Sequence, residues 1–162
     1  MLMENYKFEN YRARLFSTLQ SIDQEDWNEA ANCLYQAWKS GNEVFTAGNG
    51  GSASTSMHFA TDWSKGLAER TGKPMKVRSL VTNLPLLTAI SNDYAYEEVF
   101  AKQLSFFAGE NSLLVLVSGS GMSKNILKAA TLAKELKIKT ISITGFDGGS
   151  LANLSDINVS TL

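Results

Sequence analysis

Apolar residues recur every three or four positions through the first forty residues of the chain. They fall into two series, Phe8, Tyr11, Leu15, Leu19 and Ile22, followed by Trp27, Ala31, Leu34 and Trp38. This spacing places each series along one face of a helix. Asp23 is a typical N-cap before the second series, and Gly41 is a typical helix end. The pattern therefore predicts two amphipathic helices that either cover a sheet or present a surface to a second subunit.

After Gly41 the pattern changes to short apolar runs separated by helical stretches. The predicted strands are Val44–Ala47, Val77–Val81, Leu113–Val117, Thr140–Ile143 and Ile157–Val159. The predicted helices between them are Ser52–Lys65, Leu84–Ile90, Tyr96–Phe107 and Lys124–Leu136. Runs such as "LLVLV" are apolar on both faces, which is typical of a parallel sheet covered on both sides. The chain is therefore predicted to form a three-layer, doubly wound α/β sandwich, with "AERTGKPMK" (68–76) as an internal loop.

Composition narrows the function classes. The chain has 162 residues and a formal net charge of −1, which does not point to nucleic acid or a membrane as partner. The single cysteine, Cys33, excludes an internal disulfide and is expected to be a buried small hydrophobe. The amino terminus has charges and no apolar core, so we expect no signal peptide and a cytoplasmic protein.

Two small, polar loops follow predicted strands, where a parallel sheet gathers its ligands. The first is "GNGGS" after Val44–Ala47, and the second is "SGSGMS", Ser118 to Ser123, after Leu113–Val117. The second loop offers hydroxyls and backbone amides at a helix amino terminus, which suits a phosphate. Neither loop is a nucleotide P-loop or a dinucleotide fingerprint, so a small phosphorylated metabolite fits better. The alternative is a tight turn in which Ser123 is only an N-cap.

Four blocks in the chain resemble the sugar isomerase (SIS) domain and, within it, the phosphoheptose isomerase subfamily. These blocks are "GNGGSASTSMHFATD", "SNDYAYEEVFAKQL", "SGSGMSKNILKAATLAKE" and "ITGFDGGSLANL". The resemblance covers essentially the whole chain. It implies a single SIS domain over 1–162, with amino-terminal helices in 1–41 and a five-stranded parallel core of flavodoxin-like order in 42–162. It also implies a homotetramer with active sites shared between subunits.

The resemblance further implies an activity. The subfamily converts sedoheptulose 7-phosphate into D-glycero-D-manno-heptose 7-phosphate, the entry step to the heptoses of surface polysaccharide such as lipopolysaccharide. This aldose–ketose isomerisation needs no redox or nucleotide cofactor, although the family's histidine can be a zinc ligand.

Carried over by position, the resemblance assigns roles to ten substrate-binding residues, one catalytic residue and two metal ligands, of which one is also the catalytic residue. Asn49, Gly50, Gly51 and Ser52 are expected to line the sugar, and Asn92 and Asp93 to reach it from the loop "SNDY". Ser118, Ser120 and Ser123, with the amide of Gly119, are expected to hold the phosphate. Asp62 is the expected base, and His58 and Asp62 are the expected metal ligands.

His58 and Asp62 are four residues apart, so they share one face of the predicted helix. From there we expect both to face one cavity with the glycine loop, where Asp62 exchanges a proton through an enediol. A surface pair that only supports the helix is the alternative.

In three places the chain departs from the family pattern. Asp62 stands where the family has glutamate, and Gly119 stands where it has threonine. A last helix with glutamine and a second histidine would follow Leu162, so we expect the domain to lack that helix. Two other functions remain open: a non-catalytic tetrameric scaffold that binds the DNA replication initiator, and a module that senses a sugar phosphate.

Overall fold

A computed structural model describes residues 7–161, so residues 1–6, considered above for a signal peptide, lie outside it together with Leu162. Two helices come first, α1 (Phe8–Ser21) and α2 (Gln24–Ser40), as the apolar spacing predicts. The Asp23 carboxylate accepts hydrogen bonds from the amides of Glu25 (2.8 Å) and Asp26 (3.0 Å), which caps α2. Gly41 ends the same helix in the left-handed conformation, with φ of 73°.

Five parallel strands form one sheet, in agreement with the five predicted strands. They are β1 (Glu43–Gly48), β2 (Lys76–Ser79), β3 (Leu113–Ser118), β4 (Lys139–Gly145) and β5 (Ile157–Thr161). Their spatial order is β2-β1-β3-β4-β5, which is the flavodoxin-like order. The chain therefore moves to one side of β1 to make β2, and then crosses back to place β3 on the other side.

Helical segments connect the strands. They are α3 (Gly51–Thr61), a π-helical turn (Asp62–Gly66), α4 (Leu67–Thr71), α5 (Leu84–Asp93), a 3₁₀ turn (Tyr96–Glu98), α6 (Val99–Phe107), α7 (Lys124–Glu135) and α8 (Gly149–Leu154). No helix within residues 7–161 is both long and apolar enough to cross a membrane.

Most predicted boundaries agree with the structure to within two residues, and two larger differences affect the interpretation of the site. The predicted loop over 68–76 begins too early, because Ala68–Thr71 continue in a helix that ends at Gly72, where φ is 75°. The predicted helix Leu84–Ile90 ends too early, because α5 continues to Asp93. Asn92 and Asp93 consequently lie in the last helical turn and not in a loop.

The sheet buries apolar side chains on both faces, as the continuous apolar runs predict. On one face Phe45, Leu114 and Leu116 pack with Phe100, Leu104 and the alanines of α7. On the other face Val44, Val115 and Ile141 pack against Ala30 and Ala37 of α2. Cys33 is a free, half-buried thiol packed at the edge of this second cluster, less buried than the sequence analysis expects.

The two amino-terminal helices play different roles. Helix α2 covers the sheet, whereas no residue of α1 is buried. The apolar stripe of α1 is instead open to solvent, and its members are Phe8, Tyr11, Leu15, Phe16 and Leu19. One amino-terminal helix thus serves the core of this chain, and the other presents an apolar surface.

Candidate functional site

The two glycine–serine loops meet at one point of the sheet. Strands β1 and β3 are hydrogen-bonded neighbours, with Gly48 opposite Val117. The loops that leave these two strands therefore emerge side by side at the carboxyl edge. This is also the switch point of the strand order, where ligands bind in open α/β sheets.

The loop after β1 has a shape that depends on glycine. Gly50 has φ of 54° and ψ of −121°, a combination that residues with a Cβ rarely adopt. Gly48 lies so close to the first turn of α3 that an added Cβ would be 2.5 Å from the carbonyl oxygen of Ser52. Asn49, Gly50, Gly51 and Ser52 are thereby held between the end of β1 and the start of α3. The first amides of α3 are presented at the crevice.

The loop after β3 is supported from behind by the turn between β4 and α8. The Gly119 carbonyl accepts a hydrogen bond from the amide of Gly145 (2.9 Å), and the Gly121 carbonyl accepts one from Leu151 (3.0 Å). Gly121 has φ of 61°, and a Cβ there would lie 1.9 Å from the carbonyl oxygen of Gly148. The shape of this loop therefore depends on packing against a second glycine-rich turn.

The serines of this second loop are placed for an anion. Ser118 is the buried last residue of β3, and Ser123 occupies the N-cap position of α7. The Ser123 hydroxyl makes no capping hydrogen bond, so the alternative that it serves only as an N-cap is not supported. The Ser120 hydroxyl accepts a hydrogen bond from the Met122 amide (3.3 Å) and keeps its own proton to donate. A Cβ on Gly119 would meet nothing within 4 Å, which leaves room for a ligand beside the loop.

Two residues that the sequence analysis does not assign connect the two loops. The side-chain amides of Asn49 and Asn125 exchange two hydrogen bonds, of 2.8 and 2.9 Å. The Tyr96 hydroxyl donates to the same Asn49 oxygen (2.9 Å). Both residues stand inside the blocks that carry the family resemblance. The only local signal for Asn125 is that it lies two residues after the serine loop, in the first turn of α7.

Charged side chains tie the 3₁₀ turn that carries Tyr96 to helix α7. Lys124 contacts Glu97 (2.9 Å), and Lys128 lies 3.6 Å from Glu97 and bonds Glu98. The hydrogen bond from Lys124 lowers the pKa of Glu97, and the hydrogen bond to Glu98 raises the pKa of Lys128. Since these groups are on the surface, each pair contributes little to stability but restricts the position of the turn.

Asn92 and Asp93 are exposed on the last turn of α5. The Asn92 amide donates to the Asp93 carboxylate at 3.0 Å. Among the hydrogen bonds of the described residues, none joins this pair to either loop at the crevice.

His58 and Asp62 lie one above the other near the end of α3, with 3.8 Å between Nδ1 and Oδ2. Their side chains are 81% and 70% exposed. Asp62 also begins the π-helical turn, a feature that often marks functional sites. With Trp63 and Arg70, Asp62 lines an open groove of about 410 Å³ that His58 does not line.

The proton-transfer pair and the loops do not meet within one protomer. Eleven residues separate Gly51 from Asp62 along α3, which corresponds to about 16 Å at 1.5 Å per residue. The expectation that His58 and Asp62 share one cavity with the glycine loop therefore does not hold in a single chain. The structure brings together Asn49–Ser52 and Ser118–Ser123, and it leaves His58 and Asp62 on an exposed surface.

The same pair is an incomplete zinc site. Two ligands of one tetrahedral zinc ion are separated by roughly 3.3 Å, close to the distance between His58 and Asp62. However, a zinc site needs at least three protein ligands, and residues 7–161 contain no cluster of three histidine, cysteine, aspartate or glutamate side chains. The two residues therefore fit part of a zinc site, and residues 7–161 of one chain do not complete it.

Known proteins identify the family. Residues 7–145 match the family described as SIS domain. A phosphoheptose isomerase from Helicobacter pylori (strain Shi470) is 40% identical over 151 residues, which are 93% of this chain and 78% of that protein. A solved phosphoheptose isomerase from Francisella tularensis superposes with a TM-score of 0.89 at 28% identity, covering 99% of this chain and 84% of that one. A second, from Neisseria gonorrhoeae, gives 0.81 at 29% identity, covering 94% and 84%. The chain belongs to the SIS-domain family, in its phosphoheptose isomerase group.

Proposed function

We propose that this protein is a phosphoheptose isomerase that converts sedoheptulose 7-phosphate into D-glycero-D-manno-heptose 7-phosphate. The observation that carries the proposal is the pair of loops at the switch point, combined with relatives named for this activity. The loops supply amides and hydroxyls without bulk, as a sugar phosphate requires. A role in making the heptoses of surface polysaccharide follows if this activity is confirmed.

The phosphate is proposed to lie on the loop Ser118–Ser123. Ser120 and Ser123 have hydroxyl protons to donate, and the amides of Lys124 and Asn125 begin a twelve-residue helix. A helix amino terminus favours a dianion through its unpaired amides and its dipole. The sugar then extends toward Asn49–Ser52 on the neighbouring strand.

The reaction is a proton transfer between neighbouring carbons. A base removes a proton from C1 of the ketose, a C1–C2 double bond forms, and the C2 carbonyl oxygen takes a proton from water to become a hydroxyl. The base then gives a proton to C2 of the enediol, while the C1 hydroxyl returns a proton to water and becomes the aldehyde. Asp62 is the proposed base, because a carboxylate placed at the carbon can do this work without a redox cofactor.

Asp62 would reach the sugar from a second copy of the chain. This follows from the length of α3, which keeps Asp62 away from the loops of its own protomer. The second copy has a place to bind, because α1 exposes an apolar stripe that also continues to the exposed Trp27. We therefore propose a homotetramer with shared active sites, in which Asn92 and Asp93 also act across the interface.

Zinc and cellular location are further proposals. His58 and Asp62 would bind zinc only with ligands from another chain or from outside residues 7–161, so no step of the reaction is assigned to the metal. When bound, zinc would supply Lewis-acid chemistry at a sugar oxygen. A cytoplasmic location is the expectation for an enzyme of this proposed activity.

The two other functions are not favoured. A scaffold for the replication initiator has no need for paired loops that expose hydroxyls and helix amides, and a sensing module needs no proton-transfer pair. Relatives that are 40% identical over most of the chain are named phosphoheptose isomerase.

Solvent exchange tests the proposal. The protein is incubated with sedoheptulose 7-phosphate in deuterium oxide, and mass spectrometry follows deuterium at carbon together with the aldose product. We expect incorporation by the wild type and little by Asp62→Asn. Equal incorporation by both would remove Asp62 as the base, and tight binding without exchange in either would overturn the isomerase proposal.

A further inference from the structure

We propose that Asn125 and Tyr96 are positioning residues that orient the Asn49 amide so that it offers an N–H to the sugar. The inference rests on the proposed function, since it concerns the same crevice. A backbone amide of α7 sets the orientation of the Asn125 side chain, and Asn125 in turn sets the orientation of Asn49, which faces the ligand.

The first step is the fixed orientation of Asn125. This residue is only 3% exposed, and its Oδ1 accepts the backbone N–H of Ile126 at 3.0 Å. A backbone amide can only donate, so the oxygen of Asn125 must face it and the nitrogen must face away. The orientation of a buried amide is thereby set by the start of α7.

The second step passes this orientation to Asn49. The Asn125 nitrogen donates to Oδ1 of Asn49 (2.9 Å), and the Asn49 nitrogen donates back to Oδ1 of Asn125 (2.8 Å). Rotating the Asn49 amide by 180° would replace both bonds with an oxygen–oxygen and a nitrogen–nitrogen contact. Asn49 is therefore held in one orientation by Asn125, a residue 76 positions later in the sequence.

The third step is the Tyr96 hydroxyl, which occupies the remaining lone pair of Asn49. Oδ1 of Asn49 has two acceptor positions, and Asn125 and Tyr96 use one each. One hydrogen of the Asn49 nitrogen is used by Asn125. The group that this side chain still offers to a ligand is its second N–H.

An N–H is the group that this reaction needs there. As C1 loses its proton, negative charge builds on the C2 carbonyl oxygen before that oxygen is protonated, and a fixed donor stabilises this charge more than it stabilises the bound ketose. An amide free to rotate would present its oxygen part of the time and would repel the same atom. The loops are thus coupled chemically, because the helix that receives the phosphate also orients the donor for the sugar.

The surface ion pairs explain how an exposed tyrosine stays in position. Glu97 and Glu98 directly follow Tyr96, and both contact lysines of α7. The 3₁₀ turn is thereby attached to the same helix that orients Asn125. Helix α7 therefore positions all three members of the network, which are Asn49, Asn125 and Tyr96.

A double-mutant cycle tests the inference in the full chain. The variants are Asn49→Ala, Asn125→Ala and their combination, and kcat/KM for sedoheptulose 7-phosphate is measured with the melting temperature. If Asn125 acts through Asn49, the combination is no slower than Asn49→Ala alone, although Asn125→Ala by itself lowers kcat/KM by about tenfold to a hundredfold. Losses that multiply would overturn the inference, since they would show that Asn125 acts without Asn49.

Conservative variants distinguish the loss of the Asn49 orientation from a loss of the folded structure. Tyr96→Phe removes one hydroxyl and is expected to lower kcat/KM about threefold to tenfold, whereas the matched control Tyr94→Phe is expected to change nothing. Tyr94 is a neighbouring exposed tyrosine that contacts Lys102 and lies outside the network. Asn125→Asp keeps the acceptor for Ile126 but loses the donor to Asn49, so it should remain folded and lose activity as Asn125→Ala does. Wild-type activity in Asn125→Asp would contradict the inference.

Calorimetric affinity for sedoheptulose 7-phosphate provides a readout that does not depend on turnover. If the wild type binds this sugar phosphate but does not isomerise it, the proposed function fails and the cycle is evaluated on affinity. Non-additive affinities would then support the network in a binding protein, and additive affinities would overturn it. If the wild type turns over and the cycle is additive, the function stands and the network does not.

Discussion

A site shared between two chains can be rebuilt from two inactive variants, and this gives the sharpest prediction from the structure. One variant is Asp62→Asn, which removes the proposed base. The other is the double substitution Ser120→Ala and Ser123→Ala, which removes two phosphate donors. We expect each variant alone to have little activity and the co-expressed mixture to regain activity.

The fraction of activity that the mixture should recover follows from the separation of Asp62 and the loops along α3. Because Asp62 lies about 16 Å from the loop at the start of its own helix, each site would combine the loops of one chain with the Asp62 of another. In a random one-to-one assembly, half of the loops and half of the bases are intact. About one quarter of the sites then have both, so about one quarter of the wild-type activity is expected. Loss of a general base costs about 10²–10⁴-fold in rate, and loss of two hydrogen bonds to the phosphate costs about tenfold or more in binding, so this recovery would exceed the activity of either parent at subsaturating substrate.

The assay compares three samples at equal total protein. The two parent variants are purified separately, the mixture is purified through different tags on the two chains, and the aldose product is followed over time. Mixing the purified parents without co-assembly is the control, because closed oligomers should exchange subunits slowly. Activity of the co-assembled sample no higher than the sum of its parents would refute the shared site and place base and phosphate in one chain.

Three further predictions concern the loops and the assembly. Ser120→Ala with Ser123→Ala should weaken calorimetric binding of sedoheptulose 7-phosphate by about tenfold or more while the circular dichroism spectrum stays unchanged, because two hydrogen bonds to a charged group are lost. Gly121→Ala should lower the melting temperature by several degrees, because its Cβ would overlap a carbonyl oxygen, whereas Gly66→Ala, which meets nothing within 4 Å, should not. Light scattering should give a tetramer for the wild type and a smaller species for Leu15→Lys, and a monomeric wild type at micromolar concentration would contradict the assembly.

The sheet was predictable because each strand is a short apolar run with its own beginning and end. Leu113–Val117 is apolar on both faces, and the structure buries both faces of β3. The positions of the two glycine–serine loops followed directly, since parallel strands place their carboxyl ends at one edge. The predicted helix Ser52–Lys65 is interrupted where Asp62 begins a π turn. Nothing in the apolar spacing marks that change in hydrogen bonding.

The connection between the loops was not predictable from periodicity. Asn49 and Asn125 are 76 residues apart, and Asn49 and Tyr96 are 47 apart. A polar residue in the first turn of a helix is ordinarily explained by capping, and a tyrosine on an exposed turn by solvent contact. Only the fold brings Asn125 and Tyr96 to the same oxygen, and only the burial of Asn125 shows that the contact is structural and specific.

The exposure of Asp62 would link catalysis to the proposed assembly. A carboxylate that is 70% exposed is surrounded by water, and water weakens every electrostatic interaction that a base could make with a sugar. The loops face a similar difficulty, because Asn49–Ser52 and Ser118–Ser123 contain hydrogen-bond donors but no carboxylate or histidine. A second chain that covers both surfaces would remove water from the carboxylate and bring it to the bound sugar in one step. The apolar stripe on α1 would then be a condition for activity, although none of its residues lies in the crevice. Leu15→Lys should consequently lose isomerase activity in proportion to its dissociation and recover it at protein concentrations that restore the oligomer. Full activity in a dissociated variant would mean that one chain can do the chemistry alone.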